Sequence, residues 1–163
     1  MKSIISLMAV LLFLGFSAGA KAQQEEISKD WSIRAGFFIP QRGAASDKGG
    51  NVWPTFGAEH ILYNTNQMTT TFSMDYYGSG NMYAIPFQLN LRSEKNRLRM
   101  GVGAGYSVGH DLDRGVNAVS FSALIGYTIS QGLHPIALDV RYLGTTNASE
   151  ELNGVAFTIG IQY

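Results

Sequence analysis

From residue 30 onward, apolar residues and small or polar residues trade places with a period of two. That is the pattern of strands, whose successive side chains point to opposite faces. The last ten residues keep it without a slip: Val155, Phe157, Ile159, Ile161 and Tyr163 form one row, and Ala156, Thr158, Gly160 and Gln162 the other. The same alternation predicts strands over Asp30–Pro40, Thr55–Tyr63, Gln67–Tyr77, Met82–Arg92, Arg97–Gly109, Ala118–Ile129 and Ile136–Leu143. No helical period competes with them. The pattern predicts an all-β chain, an eight-stranded antiparallel up-and-down barrel that begins after a short polar tail at Gln23–Lys29.

Connections alternate in length. Short turns are expected at Asn64–Asn66, Ser93–Asn96 and Ser130–Pro135, which fall at one end of an up-and-down barrel. Longer loops, Gln41–Pro54, His110–Asn117 and Gly144–Asn153, fall at the other, together with one short turn at Gly78–Asn81. Pro86 interrupts the fourth strand and predicts a bulge or local unpairing, because it donates no ladder hydrogen bond. Gly101, Gly103 and Gly105 are spaced by two and open no helix, so they form no phosphate loop; glycines on an inner wall leave room for long side chains instead.

Charge decides which row faces which way. Arg34, Glu59, Asp75, Arg92, Arg99, Asp139 and Arg141 all fall on the small or polar rows. If those rows line the inside of a barrel of eight strands, the interior is just wide enough to be filled by them. Mixed signs there are expected to pair, Arg34 with Glu59 and Asp139 with Arg141 or Arg99, leaving no open pore. The apolar rows would then face outward, and their aromatics sort by height. Phe37, Phe56, Tyr76, Tyr83, Tyr106, Phe121 and Tyr142 lie toward the loop end, and Trp31, Tyr127 and Tyr163 toward the other, as in the girdles of a membrane barrel.

Composition agrees with export. Met1–Ala22 has a basic start, an apolar run from Ile4 to Phe16 and the ending Ala20-Lys21-Ala22, a secretory signal expected to be cleaved after Ala22. There is no Cys, hence neither a lipidation site nor a disulfide. The leader holds Lys2 and Lys21, so 10 basic residues remain against 12 acidic ones, a balance that gives no reason to expect nucleic acid. Beyond the leader no apolar run approaches the ~20 residues of a membrane-spanning helix. A membrane location would therefore require a closed barrel.

On this alternation, loop asymmetry and terminal aromatic row, the chain resembles the small eight-stranded bacterial outer-membrane β-barrels of the OmpX and OmpA transmembrane-domain type. The resemblance covers residues 23–163 and implies the outer membrane of a Gram-negative cell, contact with its lipid and lipopolysaccharide, and a monomer. The row ending at Tyr163 is similar to the carboxy-terminal signal read by the outer-membrane assembly machinery, with Gly160 nearer the terminus than usual.

Function is expected from loops on a rigid scaffold: a surface interaction protein with no enzymatic activity, cofactor or metal. Two alternatives remain, a lipid-modifying enzyme working from the barrel wall and a narrow channel for small solutes. The enzyme would rest on His60, the one ionisable residue the alternation puts on the outward row, unless a bulge turns it inward. His110, Asp111 and Asp113 read as a solvated loop, His134 as a turn residue, and Ser107, Ser120 and Ser122 as wall hydroxyls without a base.

Overall fold

The computed structural model describes residues 31–65, 67–112, 114–146 and 150–163. The signal and polar tail expected at residues 1–29 lie outside them, as does Asp113. Eight strands form: β1 (Trp31–Pro40), β2 (Trp53–Asn64), β3 (Thr69–Ser79), β4 (Met82–Lys95), β5 (Leu98–His110), β6 (Gly115–Ser130), β7 (Ile136–Thr145) and β8 (Gly154–Gln162). Each pairs antiparallel with the next, and β8 pairs back onto β1, from Ser32↔Gln162 to Pro40↔Gly154. The barrel is closed and up-and-down.

Several boundaries differ from the sequence expectation, each for a local reason. Gln41–Pro54 is not loop throughout: it holds a short helix, α1 (Gly43–Gly49), and then the start of β2. Two helical turns are too short to show a period, and α1 ends at Gly50, which takes the left-handed φ of 80° and donates to the Ser46 carbonyl. Ser93–Lys95 continue β4 against Met100, Arg99 and Leu98, so the turn there is Asn96-Arg97, both at positive φ (53° and 71°). β5 runs to His110 and β6 starts at Gly115, so both ends of the loop expected over His110–Asn117 are strand.

Pro86 unpairs its neighbourhood without shifting it. The β3–β4 ladder runs to Met74↔Phe87 and resumes at Tyr77↔Ala84 in the same register, while Pro86 stays in register with Ser107 on β5. The bulges fall elsewhere, at Leu62 in β2 and at Ile129 in β6. Leu62 adds one residue, so Tyr63, expected on the inward row, is exposed.

One exposed apolar residue from every strand builds a ring around the barrel: Ile33, Phe56, Met74, Leu89, Val102, Ile125, Leu138 and Ile159. The alternate positions point into the bore and are small, polar or charged toward the short-turn end and apolar toward the loop end.

Candidate functional site

The charged residues of β1, β2, β3, β4, β5 and β7 meet inside the short-turn half. Arg34 donates from Nε and Nη2 to the two oxygens of Asp75, both at 2.7 Å, and from Nη1 to Glu59 at 3.0 Å. Glu59 accepts a second bond, at 2.5 Å, from Arg92. Arg141 donates from Nη1 to both oxygens of Asp75 at 3.1 Å, and Arg99 does the same to Asp139 at 3.1 Å. Asp75 is the hub, with two guanidiniums on one carboxylate. Buried charges hold only when matched in this way.

The strand register explains the geometry. Arg34 lies opposite Gly57, and Gly57 opposite Asp75. Arg99 lies opposite Gly126, and Gly126 opposite Asp139. Both ion pairs straddle a glycine on the intervening strand. A Cβ on Gly57 would collide with Asp75 Oδ1, and one on Gly126 with Asp139 Oδ1. The absent side chain is the passage through which each carboxylate reaches its arginine. Glycine serves here by vacating space.

Of the two partners expected for Asp139, the structure brings Arg99 to it; Arg141 turns to Asp75 instead, a pairing the sequence did not suggest. Arg92, expected in the network without a named partner, reaches Glu59.

A cavity of about 250 Å³ opens at the short-turn end, with Arg34, Glu59, Arg92, Arg99 and Asp139 on its wall and Glu94 at the rim. Glu94 accepts from the Thr128 hydroxyl at 2.8 Å. Deeper, beside Arg141, Asn90 and Ser122, the space is about 10 Å³, no more than about one water.

The loop half is filled differently. Phe38 stacks on Tyr77 at 4.3 Å and tilts against Trp53 at 5.5 Å, and the three are at most 1 % exposed. Ala45 of α1 and Leu152 of the last loop, both fully buried, pack on them. The Tyr77 hydroxyl donates to the Leu152 carbonyl at 2.9 Å, and Trp53 Nε1 to the Gly50 carbonyl at 2.8 Å, so the aromatic plug is tied to the loops above it. Sequence reading missed Trp53, Leu152 and Ala45 by leaving them in polar loops. Phe38 and Tyr77 gave a signal, as aromatics on rows otherwise small or polar.

On the outside, Trp31, Phe37, Phe56, Tyr76, Tyr83, Tyr106, Phe121, Tyr127 and Tyr163 are exposed. Tyr142 is half-buried and donates to Gln41 Oε1 at 3.1 Å. Phe72, Phe87 and Phe157 join the same outward rows, and the bulge adds Tyr63. His60 remains on the outward row, because the bulge follows it at Leu62. Its ring stacks on Trp31 at 4.5 Å, and its cross-strand neighbours are Trp31 and Phe72.

The other titratable candidates disperse. Asp111 is buried 3.7 Å from Arg114, and His134 packs against Tyr163 at 5.2 Å. Ser107, Ser120 and Ser122 are buried on the inner wall. Among the described residues, no group of three His, Cys, Asp or Glu could hold a metal.

No protein-family model matches the chain, and no curated protein matches it by sequence.

Proposed function

We propose that the chain is an integral outer-membrane β-barrel whose filled bore conducts nothing, acting without chemistry of its own as an interaction protein at the cell surface. The observation that carries this reading is inversion: large apolar side chains cover the outside of all eight strands, while ion pairs occupy the inside. Water favours the opposite arrangement. Acyl chains would solvate such rows, and closure leaves no backbone edge unsatisfied in hydrocarbon. Complete closure also removes any edge through which copies could pair, in keeping with a monomer.

With both chain ends on the periplasmic side, the loop end faces outward and presents Arg42, Asp47, Lys48, Val52 and Glu150, all exposed, to lipopolysaccharide or other surface partners. Arg42 and Glu150 join the first and last loops at 2.8 Å. The strand that ends the chain is the segment this reading assigns to the assembly machinery. Plug and ion pairs together oppose the solute-channel alternative.

Outer membranes carrying the full chain provide the test. The protein should migrate differently on a gel with and without boiling, and should give no conductance in planar bilayers. Recovery as a water-soluble protein with unshifted mobility overturns the membrane reading, and steady conductance moves the assignment to a narrow channel. Lipid A mass spectra should be the same with and without the protein. A mass change that His60→Ala abolishes would make it a wall enzyme instead.

A further inference from the structure

The mouth at the short-turn end has more hydrogen-bond donors than acceptors. Inside the short-turn half four guanidiniums, Arg34, Arg92, Arg99 and Arg141, stand against three enclosed carboxylates, Glu59, Asp75 and Asp139. The third acid on the cavity wall, Glu94, lies exposed on the rim. Enclosed in that half, the balance is one positive charge.

The carboxylates are fully engaged. Glu59 accepts from two arginines on separate oxygens, Asp75 from two arginines on both, and Asp139 from Arg99 on both. Arg34 is equally engaged, donating from all three of its nitrogens. Arg92 and Arg99 are not: each bonds through Nη1 alone. A guanidinium carries five N–H donors in a planar fork, so the Nε and Nη2 edge of each remains without an acceptor among the described residues. Unlike Nε of Arg141, these atoms are not sealed from the cavity.

The two arginines are neighbours. Arg92 lies opposite Gly101 and Glu94 opposite Arg99, so Arg92 and Arg99 are diagonal neighbours on the inner face, roughly 7–8 Å apart at Cα. Gly101 puts no side chain between them.

We propose that this mouth binds a single phosphate group, held between the free edges of Arg92 and Arg99. A planar carboxylate takes one fork, whereas a tetrahedral oxyanion offers oxygens to two forks at once. Space agrees: about 250 Å³ is many times the roughly 10–15 Å³ that admits one water, enough for a phosphate with part of its hydration or a small ester. Glu94 at the rim opposes a polyphosphate. The group could arrive as free phosphate or as the headgroup of a phosphomonoester lipid. The mouth has this geometry whatever solvent surrounds the wall, so the inference stands apart from the membrane reading.

The test titrates the full chain, folded in zwitterionic detergent micelles, with inorganic phosphate and, separately, with acetate, by calorimetry and by ³¹P line broadening. A second arm measures binding to phosphatidylcholine vesicles with and without phosphatidic acid. Saturable binding of one phosphate per chain is expected, with acetate at least about tenfold weaker. Arg92→Gln should weaken phosphate by about tenfold, the value of one charged hydrogen bond. It leaves Glu59 paired with Arg34, so the barrel persists, which an unchanged heat-shift on a gel verifies. Arg92→Lys keeps the charge, loses the fork and should not restore affinity, and Glu94→Gln should strengthen binding. Binding only to phosphatidic acid vesicles, still lost in Arg92→Gln, supports the site and names lipid as its source. Equal response to phosphate and acetate, an unaffected Arg92→Gln variant, or no binding in either arm overturns the proposal.

Discussion

The two halves of the bore are filled by opposite chemistry inside one continuous sheet. Toward the short turns, Arg34, Asp75, Arg141, Glu59, Arg92, Arg99 and Asp139 pair with one another at 2.5–3.1 Å. Toward the loops, Phe38, Trp53, Tyr77 and Leu152 fill the same cross-section with carbon. The charged half depends on partners, because losing one member leaves the others buried and uncompensated. The apolar half depends on volume, because any well-fitting side chain restores most of what was lost. Mutations should therefore fail in different ways at the two ends.

The hub gives the largest effect. Asp75→Ala should lower stability by about 4 kcal/mol, measured by urea unfolding of the micelle-folded protein, since Arg34 and Arg141 both lose their shared acceptor. Replacing the set together, Asp75→Leu with Arg34→Met and Arg141→Leu, should cost less than Asp75→Ala alone. A triple variant weaker than the single one would sink the idea that partner loss governs this half.

At the plug, Trp53→Ala should cost about 3 kcal/mol through the cavity it leaves, and Trp53→Phe clearly less. Equal losses for the two would mean that the Trp53 hydrogen bond to Gly50 matters more than volume. Gly126→Ala probes the passage between Arg99 and Asp139. It should cost about 2 kcal/mol by overpacking against the carboxylate, and pairing it with Asp139→Ala should cost less than the sum of the two changes. The smallest effect is a gain. Arg97→Gly relieves a side chain at φ 71° in a two-residue hairpin turn and should raise stability by about 1 kcal/mol, read as a higher gel-shift temperature.

How far these halves could be read from sequence follows from what alternation encodes. A period of two separates the two faces and the charges tell inside from outside, so the row from Val155 to Ile161 and the inward charges were legible without coordinates. It says nothing of stagger between strands. Register decides which inward charges meet: Arg99 reaches Asp139 because Gly126 lies between them, and Arg141 passes its neighbour on β7 to reach Asp75. The plug was hidden for another reason. Trp53 and Leu152 stand in stretches rich in Gly, Ser, Asn and charge, where local composition reads as loop, and only the third dimension folds those stretches into the barrel mouth. Tyr63 was misassigned because one extra residue at Leu62 reverses the parity of all that follows in the strand.

The seam between β1 and β8 carries a kinetic consequence. Its ladder joins residues 32–40 to residues 154–162, so the hoop cannot shut until almost the whole chain is available. Contacts so distant in sequence make folding slow, because loop entropy must be lost before they form. Until then two raw strand margins stand open, each able to template pairing with another chain. Truncation by one strand would leave those margins open for good and turn a self-contained hoop into a seed for aggregates.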